Sequence, residues 1–236
     1  MKTLKFLIVF FITASVYAQV DSLTIIRKEF YKATEDTSIF VKIIYPQING
    51  LSNTEVQTKI NNFLESEFMQ AKTWFDEFTS DTDYTSEFPP DWVFSFESDF
   101  RVAYNKKDFI SIVMDYYEFT GGAHGNYYSV GFNIRNSDGA VLTLDSILKP
   151  NSLQALSEFC TEEILNMYDA NTLTEAGLFE DELILSEDQD FFITPTSLVI
   201  QFDPYEVGPY AMGSIEVELN FNLIKNILKE NLPFLK

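Results

Sequence analysis

Three long strand-like segments between positions 92 and 135 most constrain how this chain folds. They are Trp92 to Tyr104, Phe109 to Phe119 and Tyr127 to Arg135, aromatic-rich runs of roughly ten residues each. Asn105 to Asp108 separates the first two segments, and a glycine loop at 121–125 (GGAHG) precedes the third. Because parallel strands need crossovers of about a dozen residues or more, these short connections predict an antiparallel meander.

The flanking regions add helices and further strands. A β-hairpin is predicted at 22–46, ended by Pro46, and a second one around Pro195, followed by a strand at 215–221. Apolar residues at helical spacing predict three helices, at 52–78, 152–168 and 223–232. The fold class is therefore α+β, with antiparallel sheets packed against a long N-terminal helix, a middle helix and a C-terminal helix.

Residues 1–18 have the three parts of a secretory signal peptide. Lys2 and Lys5 precede an apolar core that begins LIVFFI, and Val16-Tyr17-Ala18 is a small-residue cleavage site. The core is too short for a membrane-spanning helix, which needs about twenty residues. We therefore expect a mature chain that starts at Gln19 and is periplasmic or secreted. A polar stretch ending at Pro89-Pro90 then predicts two subdomains, 19–90 and 91–236.

The chain is strongly acidic, with 36 Asp and Glu against 16 Lys and Arg and a formal net charge of −20. The electric field of this negative charge repels nucleic acid and anionic lipid and favours a basic partner. Cys160 is the only cysteine, so no intramolecular disulfide forms, and its place on a helical apolar face predicts a buried thiol.

Several fragments occur in an order that identifies a family. They are YPQINGL (45–51), KINNFL (59–64), the run from Asp99 to GGAHG at 121–125, LTLDSIL (142–148), FFIT (191–194) and FDPYEVGPYAMG (202–213). Together they resemble the exported bacterial proteins in which a PdaC-type accessory domain precedes an RsiV C-terminal-like domain. The resemblance covers nearly all of the mature chain, and it gives 19–90 to the first domain and 91–236 to the second.

This resemblance implies an α+β protein of the bacterial cell surface or periplasm. Some members of the family are anti-sigma factors whose outer domain senses lysozyme, and others carry the module beside a polysaccharide deacetylase domain. We expect this chain to be a stand-alone member, because neither a transmembrane helix with a sigma-binding segment nor a deacetylase domain is recognisable in it.

The glycine loop and the loop at 203–213 carry the candidate ligand-binding residues. They are Gly121, Gly122, His124, Tyr205, Glu206 and Tyr210. His124 is the only histidine; it either contacts a ligand or hydrogen-bonds a neighbouring strand, with Gly121, Gly122 and Gly125 supplying positive φ. The tyrosines either form a recognition surface stiffened by two prolines or fill the end of a sheet.

No catalytic constellation stands out from the sequence. One histidine and one distant cysteine cannot form a zinc site of the usual kind, and no pair of carboxylates is singled out by its spacing. We predict no catalytic residues, no metal and no cofactor. The predicted function is a non-catalytic cell-envelope module that binds a basic secreted protein such as lysozyme, or cell-wall glycan. The alternative is an enzyme that modifies peptidoglycan or another polysaccharide.

Overall fold

The computed structural model describes residues 22–35, 38–80 and 92–235. The predicted signal peptide and its cleavage site lie outside the described residues, as does most of the predicted break between the subdomains. The described chain forms a six-stranded sheet and a three-stranded sheet, with helices on one face of each.

The six-stranded sheet has the order β1-β2-β3-β4-β5-β6. Its strands are β1 Thr24–Ala33, β2 Ile39–Asn49, β3 Phe94–Lys106, β4 Phe109–Phe119, β5 Asn126–Arg135 and β6 Ala140–Val141. The predicted antiparallel meander is confirmed for β3, β4 and β5. The expectation of wholly antiparallel sheets is wrong at one place, because β2 and β3 pair in parallel. Two helices connect these strands, and such a crossover returns the chain to the end of the sheet where β2 began.

The sequence predicted that this strand ends at Pro46, but β2 continues to Asn49. Strand β3 pairs with β2 only as far as Ile43, so the later part of β2 has an open side. There the backbone N–H of Ile48 donates to Oδ1 of Asn61 (2.8 Å), and Nδ2 of Asn61 donates back to the Ile48 carbonyl (3.0 Å). A proline is tolerated at such an edge because no neighbouring strand needs its missing N–H.

The predicted long helix is two helices, α1 Thr54–Phe68 and α2 Gln70–Ser80, separated by Met69. Helix α1 begins after Asn53, whose side-chain oxygen accepts from the N–H groups of Glu55 (3.0 Å) and Val56 (3.2 Å). The predicted apolar stripe is confirmed across the break and packs on the six-stranded sheet. Its buried members are Ile60, Leu64, Phe68, Ala71 and Phe75.

The three-stranded sheet consists of β7 Phe191–Ile193, β8 Ser197–Phe202 and β9 Ile215–Asn220, all antiparallel. The predicted middle helix is confirmed as α4 Leu153–Tyr168, preceded by the short α3 Leu144–Ile147. Leu156, Cys160 and Ile164 of α4 are fully buried against this sheet. Burial raises the pKa of the Cys160 thiol to about 12, in agreement with the buried thiol expected from the sequence.

The predicted C-terminal helix is largely absent. Only α5 Phe221–Ile224 is helical, and the chain then pairs with the segment that follows α3. The Lys149 N–H donates to the Ile227 carbonyl and the Lys229 N–H donates to the Ile147 carbonyl, each at 2.8 Å. These backbone bonds replace those that a helix would have made.

The two sheets meet where β7 crosses β5. A Cβ on Gly131 would lie 1.9 Å from the Phe191 carbonyl oxygen, so only glycine permits this approach. Nδ2 of Asn133 donates to the same carbonyl (2.7 Å). The Ser111 hydroxyl donates to Oδ1 of Asn133 (2.8 Å) and accepts from the Ile193 N–H (3.0 Å). The six-stranded sheet joins residues on both sides of position 90, and the subdomain division predicted there stays a prediction.

Candidate functional site

The two faces of the six-stranded sheet have different neighbours. Phe96 and Phe100 of β3 and Met114 of β4 belong to the core beneath α1 and α2. On the opposite face of the same sheet, Val113 of β4 packs with Phe192 of β7. The three-stranded sheet covers only this part of that face, and the remainder is an open groove.

The groove has a volume of about 650 Å³. Residues of β2, β3, β4, β5 and β9 line it. They are Lys42, Ile44, Glu97, Ser98, Asp99, Arg101, Asp115, Tyr116, Tyr117, Tyr127, Tyr128, Ser129, Ser214 and Glu216. Tyrosines and charged side chains therefore dominate the lining, an arrangement suited to recognising a polar partner through flat rings and ion pairs.

Arg101 is the central cation of the groove. Its guanidinium forms ion pairs with Glu216 and with Asp115, the latter at 3.7 Å from Nε to Oδ2. It also lies over the Phe192 ring, 4.5 Å from the centroid. Arg27 forms an ion pair with Asp99 at 2.7 Å. These side chains are about half exposed, so a partner can reach both signs of charge.

The glycine loop borders this groove. Gly121 has φ +91° and Gly122 has φ +95°, which confirms the positive φ predicted for these two residues. That prediction is wrong for Gly125, which does not have positive φ. Position 125 requires glycine because there is no room for a side chain. A Cβ would lie 2.5 Å from both the Glu118 carbonyl oxygen and the Tyr117 ring.

The glycine loop and the 203–213 loop meet through their aromatic side chains. The rings of His124 and Tyr210 are stacked, with centroids 4.0 Å apart and planes 20° apart. The Tyr210 hydroxyl donates to the Gly125 carbonyl (2.8 Å), and Nδ1 of His124 lies 3.0 Å from the same oxygen. Tyr127, which lines the groove, meets the Tyr210 ring edge-on at 5.6 Å. This cluster of rings and the groove are therefore one continuous surface.

Tyr205 extends the cluster into solvent. It lies 5.6 Å from Tyr210, is 56% exposed and has φ +71°, which is unusual for a residue other than glycine. Glu206 has a different position, because its carboxylate accepts from the Asp203 N–H (2.8 Å) and from Nε2 of Gln189 (2.7 Å). The structure thus brings together Gly121, Gly122, His124, Tyr205 and Tyr210. Glu206 instead stabilises its own loop through the hydrogen bond from the Asp203 N–H.

Two half-buried carboxylates beside the site, Asp190 and Asp203, are not among the predicted ligand-binding residues. Burial raises the pKa of Asp190 to about 6, and neighbouring carboxylates, Asp203 first, add to the shift. Burial likewise raises the pKa of Asp203, although its carboxylate accepts from the Ser129 N–H (3.0 Å) and from Nε2 of Gln201 (3.2 Å). No local pattern marks these acids, because their neighbours come from strand β5, far away in the chain.

The described residues place limits on other chemistry. No three of their His, Cys, Asp or Glu side chains are grouped so as to hold a metal ion. The contacts of the His124 ring are with Tyr210 and the Gly125 carbonyl, rather than with a carboxylate. Over the same residues, no helix has the length and apolar composition needed to cross a membrane.

Comparison with known proteins finds two family models and two curated relatives that match the chain. A model described as Deacetylase PdaC matches residues 33–127, and one described as Protein of unknown function (DUF3298) matches residues 145–222. The peptidoglycan-N-acetylmuramic acid deacetylase PdaC of Bacillus subtilis is 30% identical over 135 residues, which are 56% of this chain and 29% of PdaC. The anti-sigma-V factor RsiV of the same organism is 29% identical over 207 residues, 85% of this chain and 68% of RsiV.

Solved structures show the same fold. A DUF3298-family protein from Bacteroides fragilis superposes with a TM-score of 0.67 at 16% identity, over 90% of this chain and 95% of that one. A second DUF3298-family protein, from Pseudomonas aeruginosa, superposes with a TM-score of 0.66 at 16% identity, over 89% of this chain and 96% of that one. The two family-model matches and the homology to RsiV support a module associated with the cell envelope. The chain therefore has a PdaC-type region at 33–127 followed by a DUF3298 region at 145–222 and is homologous to PdaC and RsiV, which confirms the resemblance predicted from the sequence.

Proposed function

We propose that this chain is a non-catalytic binding module of the cell envelope that recognises a basic secreted protein of the lysozyme type. The observation that carries the proposal is the joining of the His124, Tyr205 and Tyr210 rings to a groove lined by carboxylates, in a chain with net charge −20. The homology to RsiV supports it, because lysozyme sensing is what the family resemblance implies for domains of that type.

The chemistry of the surface fits such a partner. Tyrosines are common at the centres of protein interfaces, where a flat ring buries much area at low entropic cost. The groove carboxylate Glu97 would pair with Lys or Arg of a basic protein, and the half-exposed Asp99 and Glu216 could exchange Arg27 and Arg101 for the partner's cations. Such charge pairing speeds association and makes it salt-dependent. The packing of His124 on Tyr210, without a carboxylate partner, favours recognition over acid–base catalysis.

The test is a binding titration of the chain starting at Gln19 with lysozyme, at low and at moderate salt. We expect binding that weakens with salt, and we expect Tyr205→Ala to weaken it about tenfold or more, the usual size of an interface anchor. Tyr31→Ala is the matched control, because Tyr31 is also 56% exposed but lies on β1. It should leave the affinity unchanged.

Two results would reject the proposal. Absence of binding at both salt concentrations removes lysozyme as the partner. An equal loss with Tyr31→Ala and Tyr205→Ala shows that the ring cluster is not the site. Soluble peptidoglycan fragments titrated in parallel distinguish the glycan alternative, whose binding should respond to Tyr205→Ala but little to salt.

A further inference from the structure

A second groove lies beyond α4, on the opposite side of the three-stranded sheet from the candidate site. It has a volume of about 700 Å³ and runs between the outer face of α4 and the segment 181–185. We call it the α4 groove. Its lining is Leu153, Gln154, Ser157, Glu158, Thr161, Glu162, Asp181, Glu182, Leu183, Ile184 and Leu185.

The lining of the α4 groove carries charge of one sign. Glu158, Glu162, Asp181 and Glu182 face it, and none of the described residues that line it is Lys or Arg. The imbalance extends well beyond the groove: residues 150–224 contain 15 Asp and Glu and no Lys or Arg. The first groove, in contrast, contains Lys42 and Arg101. A ligand of the α4 groove must therefore bring its own positive charge.

The backbone along the α4 groove is open to pairing. Leu183 and Leu185 are buried, and the Leu185 N–H donates to Oγ of Ser157 (3.1 Å), which holds the segment against α4. Residues 182–184 make no backbone hydrogen bond to any other part of the chain that the structure describes. Ile184 between the two leucines is 76% exposed, a large apolar side chain left in solvent.

We propose that the α4 groove binds an extended cationic peptide segment of a partner protein. The segment adds as a strand to the free backbone of 182–184, covers Ile184 with an apolar side chain and places Lys or Arg against Glu158 and Glu162. Backbone hydrogen bonds supply affinity in this mode of recognition, and alternate side chains supply specificity. The proposal is independent of the site described above, because the two grooves share no residue.

The probe is a fluorescently labelled synthetic peptide, Lys-Val-Lys-Ile-Lys-Val-Lys, titrated with the chain starting at Gln19 by fluorescence anisotropy. A second peptide carries N-methyl groups at alternate residues and keeps the same charge. We expect N-methylation to weaken binding about tenfold, because it removes strand pairing without changing the protein. The double variant Glu158→Gln/Glu162→Gln should weaken binding about fivefold, since each exposed ion pair contributes little.

The control is Glu55→Gln/Glu230→Gln, which removes two exposed acids elsewhere and should change the affinity less than twofold. Equal weakening by both double variants would show general attraction to an acidic protein and overturn the proposal. Equal affinity of the two peptides would overturn the strand-pairing mode. A dimer that forms without peptide and is abolished by Ile184→Asp would assign the groove to a second copy, which also overturns the cationic segment.

Discussion

Replacing Asp190 with asparagine removes a carboxylate that the fold holds at the junction of the two sheets. Its side chain accepts from the Gly131 N–H at 3.4 Å, and asparagine can accept the same bond through its own Oδ1. Burial raises the pKa of Asp190 from 3.8 to about 6, helped by Asp203, Glu206 and Asp188. The folded state therefore holds the proton more tightly than the unfolded state, and ionisation of this group opposes folding.

The sign and size of the effect follow from this pKa. Below about pH 3 the group is protonated in both states and its ionisation has no effect; the destabilisation grows as pH rises through 3.8 and is complete above about pH 7. A shift of about two units corresponds to about 3 kcal/mol at about 1.4 kcal/mol per unit. Asp190 is only half-buried, so solvent screening reduces this to about 1.5 kcal/mol. At pH 5 about half of that remains.

The assay is urea denaturation of the wild-type chain and Asp190→Asn at pH 8 and pH 5. We expect Asp190→Asn to be more stable at pH 8 by about 1.5 kcal/mol, with a gain about half as large at pH 5. Asp188→Asn is the control: it relieves the smallest of the repulsions on Asp190 but loses the hydrogen bond from Ser186 that lowers its own pKa, so it should bring no comparable gain at pH 8. A destabilised Asp190→Asn, or a gain that is the same at both pH values, would refute the reasoning.

Two predictions concern glycines. Gly131→Ala should destabilise the fold by about 3 kcal/mol in urea denaturation, because its Cβ would meet the Phe191 carbonyl and force the sheets apart; a change below about 1 kcal/mol would contradict this. Gly121→Ala should cost more than Gly122→Ala, since both have positive φ but only at Gly121 would a Cβ meet the Trp92 ring, at 2.7 Å. We expect about 2 kcal/mol against about 1 kcal/mol, and equal losses would show that backbone strain alone decides.

The α+β class and most elements could be predicted because their signals are local. Apolar, aromatic-rich runs of about ten residues joined by short turns mark β3, β4 and β5, and the stripe of α4 reflects one buried face of a helix. The C-terminal segment was mistaken for a helix because its leucines also fit helical spacing. Leu228 and Leu232 are instead buried in the core of the three-stranded sheet because Leu228 forms a bridge with Leu148, a contact that no periodicity reports.

The candidate site was predictable as two loops but not as one surface. Glycines and tyrosines marked the loops at 121–125 and 203–213, whereas the groove beside them had no sequence signal. The acids of the groove come from β3, β4 and β9, and they lie together only because the three-stranded sheet covers part of the larger sheet and stops short of the rest.

The sequence by itself determined the strands of the meander, the helical stripes, the acidic charge and the glycines that allow positive φ at 121 and 122. Tertiary structure alone decided that β2 and β3 run parallel, that His124 stacks on Tyr210, and that Asp190 lies against Gly131 with a raised pKa. The physical reason is range: hydrophobic periodicity reports which side of an element is buried, while stacking and desolvation depend on which distant segments become neighbours.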